Sequence, residues 1–157
     1  MASKRILDLL GLAFWLVLTF GVAAFASQFE PGEWYTYLAK PSWTPPGWLF
    51  GPVWGILYLS MSLSAWLIWR QRSRRAVGLP LGFYLIQLAA NGLWSWLFFG
   101  RQWIGLALVD LVILVCVVAI TAAMFLRVRK IAGIMMLPYL LWICFAAALN
   151  FQIWRLN

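Results

Sequence analysis

Five stretches of the chain run with almost no formal charge. Residues 9–29, 48–69, 76–100 and 131–154 carry none, and residues 102–126 carry only Asp110. Each is long enough, as an α-helix, to cross roughly 30 Å of hydrocarbon. The pattern predicts spans at about 6–27, 46–69, 79–99, 103–126 and 131–154. The expected fold is an all-α integral membrane protein, a five-helix transmembrane bundle forming one domain over residues 1–157. The connections are short except the first, which is long enough for structure of its own.

Composition agrees: 65% of residues are hydrophobic, 10% are charged, and the mean hydropathy is +0.88. A soluble domain of this size could not present such a surface to water. Lys4, Arg5, the following apolar run and the triplet Ala24-Phe25-Ala26 imitate a secretory signal peptide. Asp8 and an apolar run reaching Phe29 favour a retained helix instead.

Charge sets the expected orientation. With five spans, Lys4, Arg5, Arg70, Arg72, Arg74, Arg75, Arg127, Arg129 and Lys130 fall on one side, and Lys40, Arg101 and Arg155 on the other. The excess predicts a multi-pass protein with a cytoplasmic N-terminus. The net charge of +8 is therefore read as topology, and no nucleic-acid partner is expected.

Within the long connection, "EWYTYLAK" places Trp34, Tyr37 and Leu38 at helical spacing and predicts a short interfacial helix. The next stretch, "KPSWTPPGW", holds Pro41, Pro45 and Pro46, which cannot all continue a helix. It predicts a stiff turn, with Thr44 capping a second span that begins near Pro45. Lys40, Trp43 and Trp48 would then lie in a lid over the helix ends. Pro138 falls inside the fifth span, where it frees the carbonyl of Ile134 and is expected to open a bend.

Polar and aromatic residues recur on single helix faces. Tyr84, Gln87, Asn91 and Ser95, with Trp94 beside them, form a stripe on the third span. Trp142, Ala146 and Asn150 align on the fifth span, and Trp54 and Tyr58 on the second. Amides and hydroxyls in a bilayer also hold helices together, and tryptophan also marks the headgroup level. Trp54, Trp94 and Trp142, however, lie well inside their spans, whereas Trp69, Trp103 and Trp154 lie at the ends. Asp110, the only carboxylate well inside the membrane, reads equally as a structural hydrogen-bonding group and as a ligand contact. Gly82, Ala89 and Ala90 leave a low strip on the third span that suits close helix approach and a homodimer.

Other chemistry is disfavoured. Cys116 and Cys144 are expected to be small packing residues inside spans. The chain has no histidine, which removes the usual haem and zinc ligand and any Ser/His/Asp set. No metal site and no obligatory cofactor are expected.

The strings "WYTYLAKPSWTPPGWLFGPVWGILY", "QLAANGLWSWLFFG", "ALVDL" and "PYLLW…ALNFQIWR" together resemble the TspO/MBR family, in order from about Trp34 to Arg155. The resemblance implies five transmembrane helices, a homodimer, and a pocket beneath the first loop for porphyrins and, in some members, sterols and benzodiazepine-type drugs. It implies a pocket of Tyr35, Trp54, Tyr58, Asn91, Trp94, Ser95, Trp142 and Ala146. The sterol motif Leu-x-Tyr-x-x-x-Arg of animal members is degenerate here. Leu149 and Arg155 match, but Phe151 replaces the tyrosine, so sterol binding is expected to be weak.

Three functions follow as expectations. The first is a receptor or carrier for a tetrapyrrole, protoporphyrin IX or haem. The second, implied by the resemblance, is light- and oxygen-dependent porphyrin breakdown using Trp54 and Trp142. The third is a proton-coupled exporter using Asp110.

Overall fold

A computed structural model describes residues 2–157, with side chains from Arg5 onward; the side chain of Lys4, assigned to the basic face, lies outside the described residues. The elements are α1 (Ala2–Ala26), α2 (Glu33–Tyr37), α3 (Gly47–Trp69), α4 (Gly78–Ser95), α5 (Ile104–Val128) and α6 (Lys130–Leu156). A π-helical turn, Trp96–Gly100, continues α4. Four helices are long and apolar enough to span a membrane by length and composition alone. The remaining long helix, α4, has 18 residues before the π-turn and carries the buried amides Gln87 and Asn91, which lower its apolarity. Together they make the five-helix membrane bundle expected from the charge-free runs.

The helices close a ring in the order α1, α3, α6, α5, α4, each packed on the next. Small residues set the tightest approaches. A Cβ on Gly133 would come within 2.6 Å of the backbone nitrogen of Leu126, so only glycine lets α6 turn back so closely against α5. Ser64 and Ser60 of α3 donate to the carbonyls of Ala132 (2.6 Å) and Met135 (2.8 Å) on α6. Where lipid offers little apolar driving force between helices, such packing and hydrogen bonds hold them together. At the N-terminal end, Trp66 donates to the carbonyl of Asp8 (2.9 Å), and Arg70 pairs with the Asp8 carboxylate at 3.2 Å.

Several local expectations change. α3 starts at Gly47, after Pro46, and Thr44 does not cap it. The Thr44 hydroxyl and N–H both donate to Pro41 O (2.7 and 3.0 Å), closing a proline-bounded turn instead. In α2, Tyr37 points outward at 83% exposure, while Trp34, Tyr35 and Leu38 pack inward. Cys116 and Cys144 are exposed on the outside of the bundle and do not pack the core. Ala90 packs against the core, so the small-residue strip on α4 does not all face outward.

Candidate functional site

Toward the α2 end the ring does not close on itself, and a cavity of about 810 Å³ opens between α1, α3, α4 and α6. α5 contributes nothing to its lining. The walls come from helical repeats. α3 supplies Phe50, Trp54 and Tyr58 at four-residue steps, α4 supplies Asn91, Trp94 and Ser95, and α6 supplies Trp142, Ala146, Leu149 and Asn150. Phe98 and Phe99 of the π-turn continue the α4 face, and Ala23, Ala26 and Ser27 close the side at α1.

The floor is a satisfied polar chain. Tyr58 donates to Asn91 Oδ1 at 2.6 Å, and Asn91 Nδ2 donates to Tyr139 OH at 3.1 Å. This ties α3, α4 and α6 at one level, where each lost partner would leave a buried polar group costing about 1–3 kcal/mol. A second tie runs through the α4 and α6 walls. Trp94 Nε1 donates to Asn150 Oδ1 (3.1 Å), and Asn150 Nδ2 donates to Ile104 O (3.0 Å). Trp94 is thereby fixed with its face free for stacking on Phe98, 5.4 Å away at 27°. Trp54 stacks similarly on Tyr58 (5.3 Å, 28°), and Trp142 meets Phe50 edge-on at 5.8 Å.

The cover is α2 and the turn that follows it. Trp34 and Tyr35 pack edge-on against Phe98 at 5.8 and 6.2 Å, and Tyr35 meets Phe99 at 5.6 Å. Burial pushes the Tyr35 phenol up from its ordinary pKa, so it remains a neutral hydroxyl at the roof. Lys40 lies over the Tyr35 ring at 4.5 Å, and its ammonium donates to the carbonyls of Tyr35, Leu38 (3.2 Å) and Thr36 (3.5 Å). It caps the end of α2 while facing the cavity. Asn157 pins the cover from below: its Oδ1 accepts the Ala39 N–H and its Nδ2 donates to the Ala39 carbonyl, both at 3.0 Å.

All eight residues that the resemblance marks as a pocket, from Tyr35 to Ala146, line this one cavity. Other expected residues fall elsewhere. Trp43 packs on Phe145 at 5.7 Å, Trp48 is 73% exposed, and neither lines the cavity. Asp110 is buried on α5, outside the chamber, and its Oδ2 has no hydrogen-bond partner among the described residues. Of the sterol motif, Leu149 reaches the cavity, while Phe151 and Arg155 face outward, with the guanidinium 5.9 Å from the ring.

The sequence reading missed Glu30, Phe50, Gly51, Phe98 and Phe99 among the lining residues. Phe50 lies one turn before Trp54, and Phe98 and Phe99 lie one turn after Trp94 and Ser95, so extending each stripe by a turn would have found them. Glu30 belongs to no repeat and gave no such signal.

A deep aromatic chamber under a stapled cover, inside a bundle of membrane-spanning helices, defines a class: helical membrane proteins with an internal cavity. The model of the TspO/MBR family matches residues 10–155. The chain is 41% identical over 157 residues to the tryptophan-rich protein TspO of Chlorobaculum tepidum, covering 99% of each protein. It is 42% identical over 137 residues to the human translocator protein (83% of this chain, 80% of that protein). Protein CrtK of Rhodobacter capsulatus is 43% identical over 131 residues, covering 82% of this chain and 81% of its own. The chain belongs to the TspO/MBR family.

Proposed function

We propose that this protein binds a tetrapyrrole in the chamber beneath α2 and acts as a receptor or carrier in porphyrin traffic. The observation that supports this most directly is an ≈810 Å³ cavity walled by Trp54, Trp94 and Trp142. A porphyrin is a flat apolar disc with acidic side arms. It matches indole faces on opposite walls and a few polar groups at the rim, within the usual size range of ligand pockets. Ser95, Tyr35 and Lys40 supply those polar groups. Among the described residues no histidine, cysteine or methionine lines the chamber, so the reading rests on the macrocycle and serves metal-free protoporphyrin as well as haem. Benzodiazepine-type drugs also carry aromatic rings that would stack on the same walls. A sterol finds no hydroxyl at Phe151.

Titrating purified protein with protoporphyrin in the dark tests the reading. Saturable binding that weakens at least about tenfold in Trp54→Ala and Trp142→Ala is expected, because each loses stacking and buried area. Unchanged binding in both folded variants would refute it.

One observation favours a second reading, photo-oxidative porphyrin breakdown. Trp54 stacks on Tyr58, and its ring lies 6.1 Å from that of Tyr139, giving an excited ligand a line of oxidisable rings. Trp→Phe at positions 54 and 142 separates the readings: a carrier keeps its binding, whereas a photo-oxidising enzyme binds and stops bleaching the ligand under light. For assembly, we propose a homodimer through the outward face of α4 around Gly82, beside which a Cβ would meet open space. Gly82→Leu should shift native mass toward monomer.

A further inference from the structure

We propose that the basic face opposite the chamber is a binding site for the phosphate headgroups of anionic phospholipids, assembled from the α3–α4 and α5–α6 turns. The two turns are joined by one contact. Arg75 Nη1 donates to the carbonyl of Arg127 at 2.7 Å, in the last turn of α5. That bond holds a guanidinium against the backbone of a second arginine.

Backbone hydrogen bonds close both turns. Arg74 and Arg75 N–H groups donate to Gln71 O (2.8 and 2.9 Å), and Arg129 N–H donates to Phe125 O (2.7 Å). Gly133 fixes the approach of α6 to α5. Arg72, Arg74, Arg75, Arg127, Arg129 and Lys130 therefore share one face. Arg72 lies over the Trp69 ring at 3.4 Å, keeping one guanidinium beside an interfacial indole.

Nothing acidic in the chain answers these charges. Of its four carboxylates, Asp8 is engaged by Arg70 in the only ion pair among the described residues, and Asp110 is buried in the bundle. Glu30 and Glu33 stand at the far end, beside the cover. The uncapped N-termini of α4 and α6 open onto the same face as the C-termini of α3 and α5, whose opposite partial charges offset them, so the attraction comes from the basic side chains. Like charges locked side by side repel unless an anion sits between them. The anion within reach of residues at the ends of spanning helices is a lipid phosphate, whose attraction to each cation is appreciable at the membrane surface.

The test is native mass spectrometry of the full chain in neutral detergent, titrated with phosphatidylglycerol or phosphatidylcholine. Phosphatidylglycerol should bind at least about tenfold more tightly. Arg74→Gln removes a side chain with no hydrogen bond or ion pair among the described residues, so the variant should fold as the wild type does and lose about fivefold in affinity. The triple change Arg74→Gln/Arg127→Gln/Lys130→Gln should lose about a hundredfold, and Arg101→Gln on the opposite face nothing. Should the triple variant fail to fold, Arg74→Gln alone decides. Equal binding of the two lipids, or full affinity in Arg74→Gln, would overturn the proposal. Displacement of the lipid by inorganic phosphate or by a single-stranded oligonucleotide at matched concentration would also overturn it, assigning the face to a soluble anion.

Discussion

Below the floor at Tyr58 the helices meet through Met61, Ala65, Ile68, Tyr84, Val118, Phe125, Ala132 and Met136, all without solvent access. Above it the same α3, α4 and α6, with α1, stand around about 810 Å³ of space. The lower half shows how an apolar sequence holds itself together when lipid is as apolar as the side chains. Alanine, glycine and serine bring backbones close, and serine hydroxyls reach the carbonyls of the next helix. The upper half shows what keeps space from collapsing. The proline-bounded turn, the α2 aromatics on Phe98 and Phe99, the Trp94–Asn150–Ile104 tie and the Asn157 clamp each fix a part of the rim. Rigid walls lower the ordering entropy lost when a ligand enters.

Glycine substitutions should separate the halves most sharply. Gly51 lines the chamber, and a Cβ there meets nothing within 4 Å. Gly51→Phe should leave thermal stability near wild type and lower protoporphyrin affinity by about a hundredfold, since overfilling a site costs about 3 kcal/mol at its upper range. Gly133→Ala should do the reverse, losing about 1–3 kcal/mol of stability in a denaturant titration because the new methyl meets backbone. If both changes affect binding and stability alike, the two halves are not distinct.

Next in size is the floor. Asn91→Leu removes the acceptor for Tyr58 and the donor to Tyr139 at once. Thermal unfolding should show a loss of about 1–3 kcal/mol, since the two phenols are left without their partner. An unaltered melting curve would show that water already serves them.

Asn157→Ala tests the cover. It removes both hydrogen bonds to Ala39, each worth about 0.5–1.5 kcal/mol, so stopped-flow dissociation of protoporphyrin should quicken several-fold with little change in melting temperature. A melting temperature lowered as far as in Gly133→Ala would make Asn157 part of the scaffold and not of the cover.

The smallest effect concerns Gln102, which holds φ at 59° in the reversal after the π-turn. Gln102→Gly should stabilise the protein slightly, by up to about 1 kcal/mol, by relieving the left-handed backbone without touching the chamber. Calorimetry reads the gain, and unchanged binding shows that it is confined to the turn.

Sequence periodicity carried much of this division. The nearly charge-free runs mark the long helices, which overrun them at α1, α5 and α6, because hydrocarbon length imposes a minimum on each span, and the stripes on α3, α4 and α6 converge on the cavity because helical spacing fixes which side chains share a face. What stayed hidden depends on contacts distant in the chain. Proline and tryptophan placed Trp43 and Trp48 in the cover, but how a turn seats its indoles depends on Phe145, about a hundred residues away. Lys40 was placed in the lid, but its contacts with the carbonyls at the end of α2 left no pattern in the sequence. Asp110 gave no sign of its direction, because a lone polar residue in an apolar run defines no face. The π-turn also left no mark, since its residues, Trp-Leu-Phe-Phe-Gly, suit an ordinary helix end equally well.

A structure of the protein with protoporphyrin bound tests the chamber directly. The macrocycle should lie under α2 between Trp54 and Trp142, above the Tyr58–Asn91–Tyr139 floor, with its acid arms toward Tyr35 and Lys40. A macrocycle seated instead in the outer groove of Val17, Gly21 and Ala89, between α1 and α4, would contradict it.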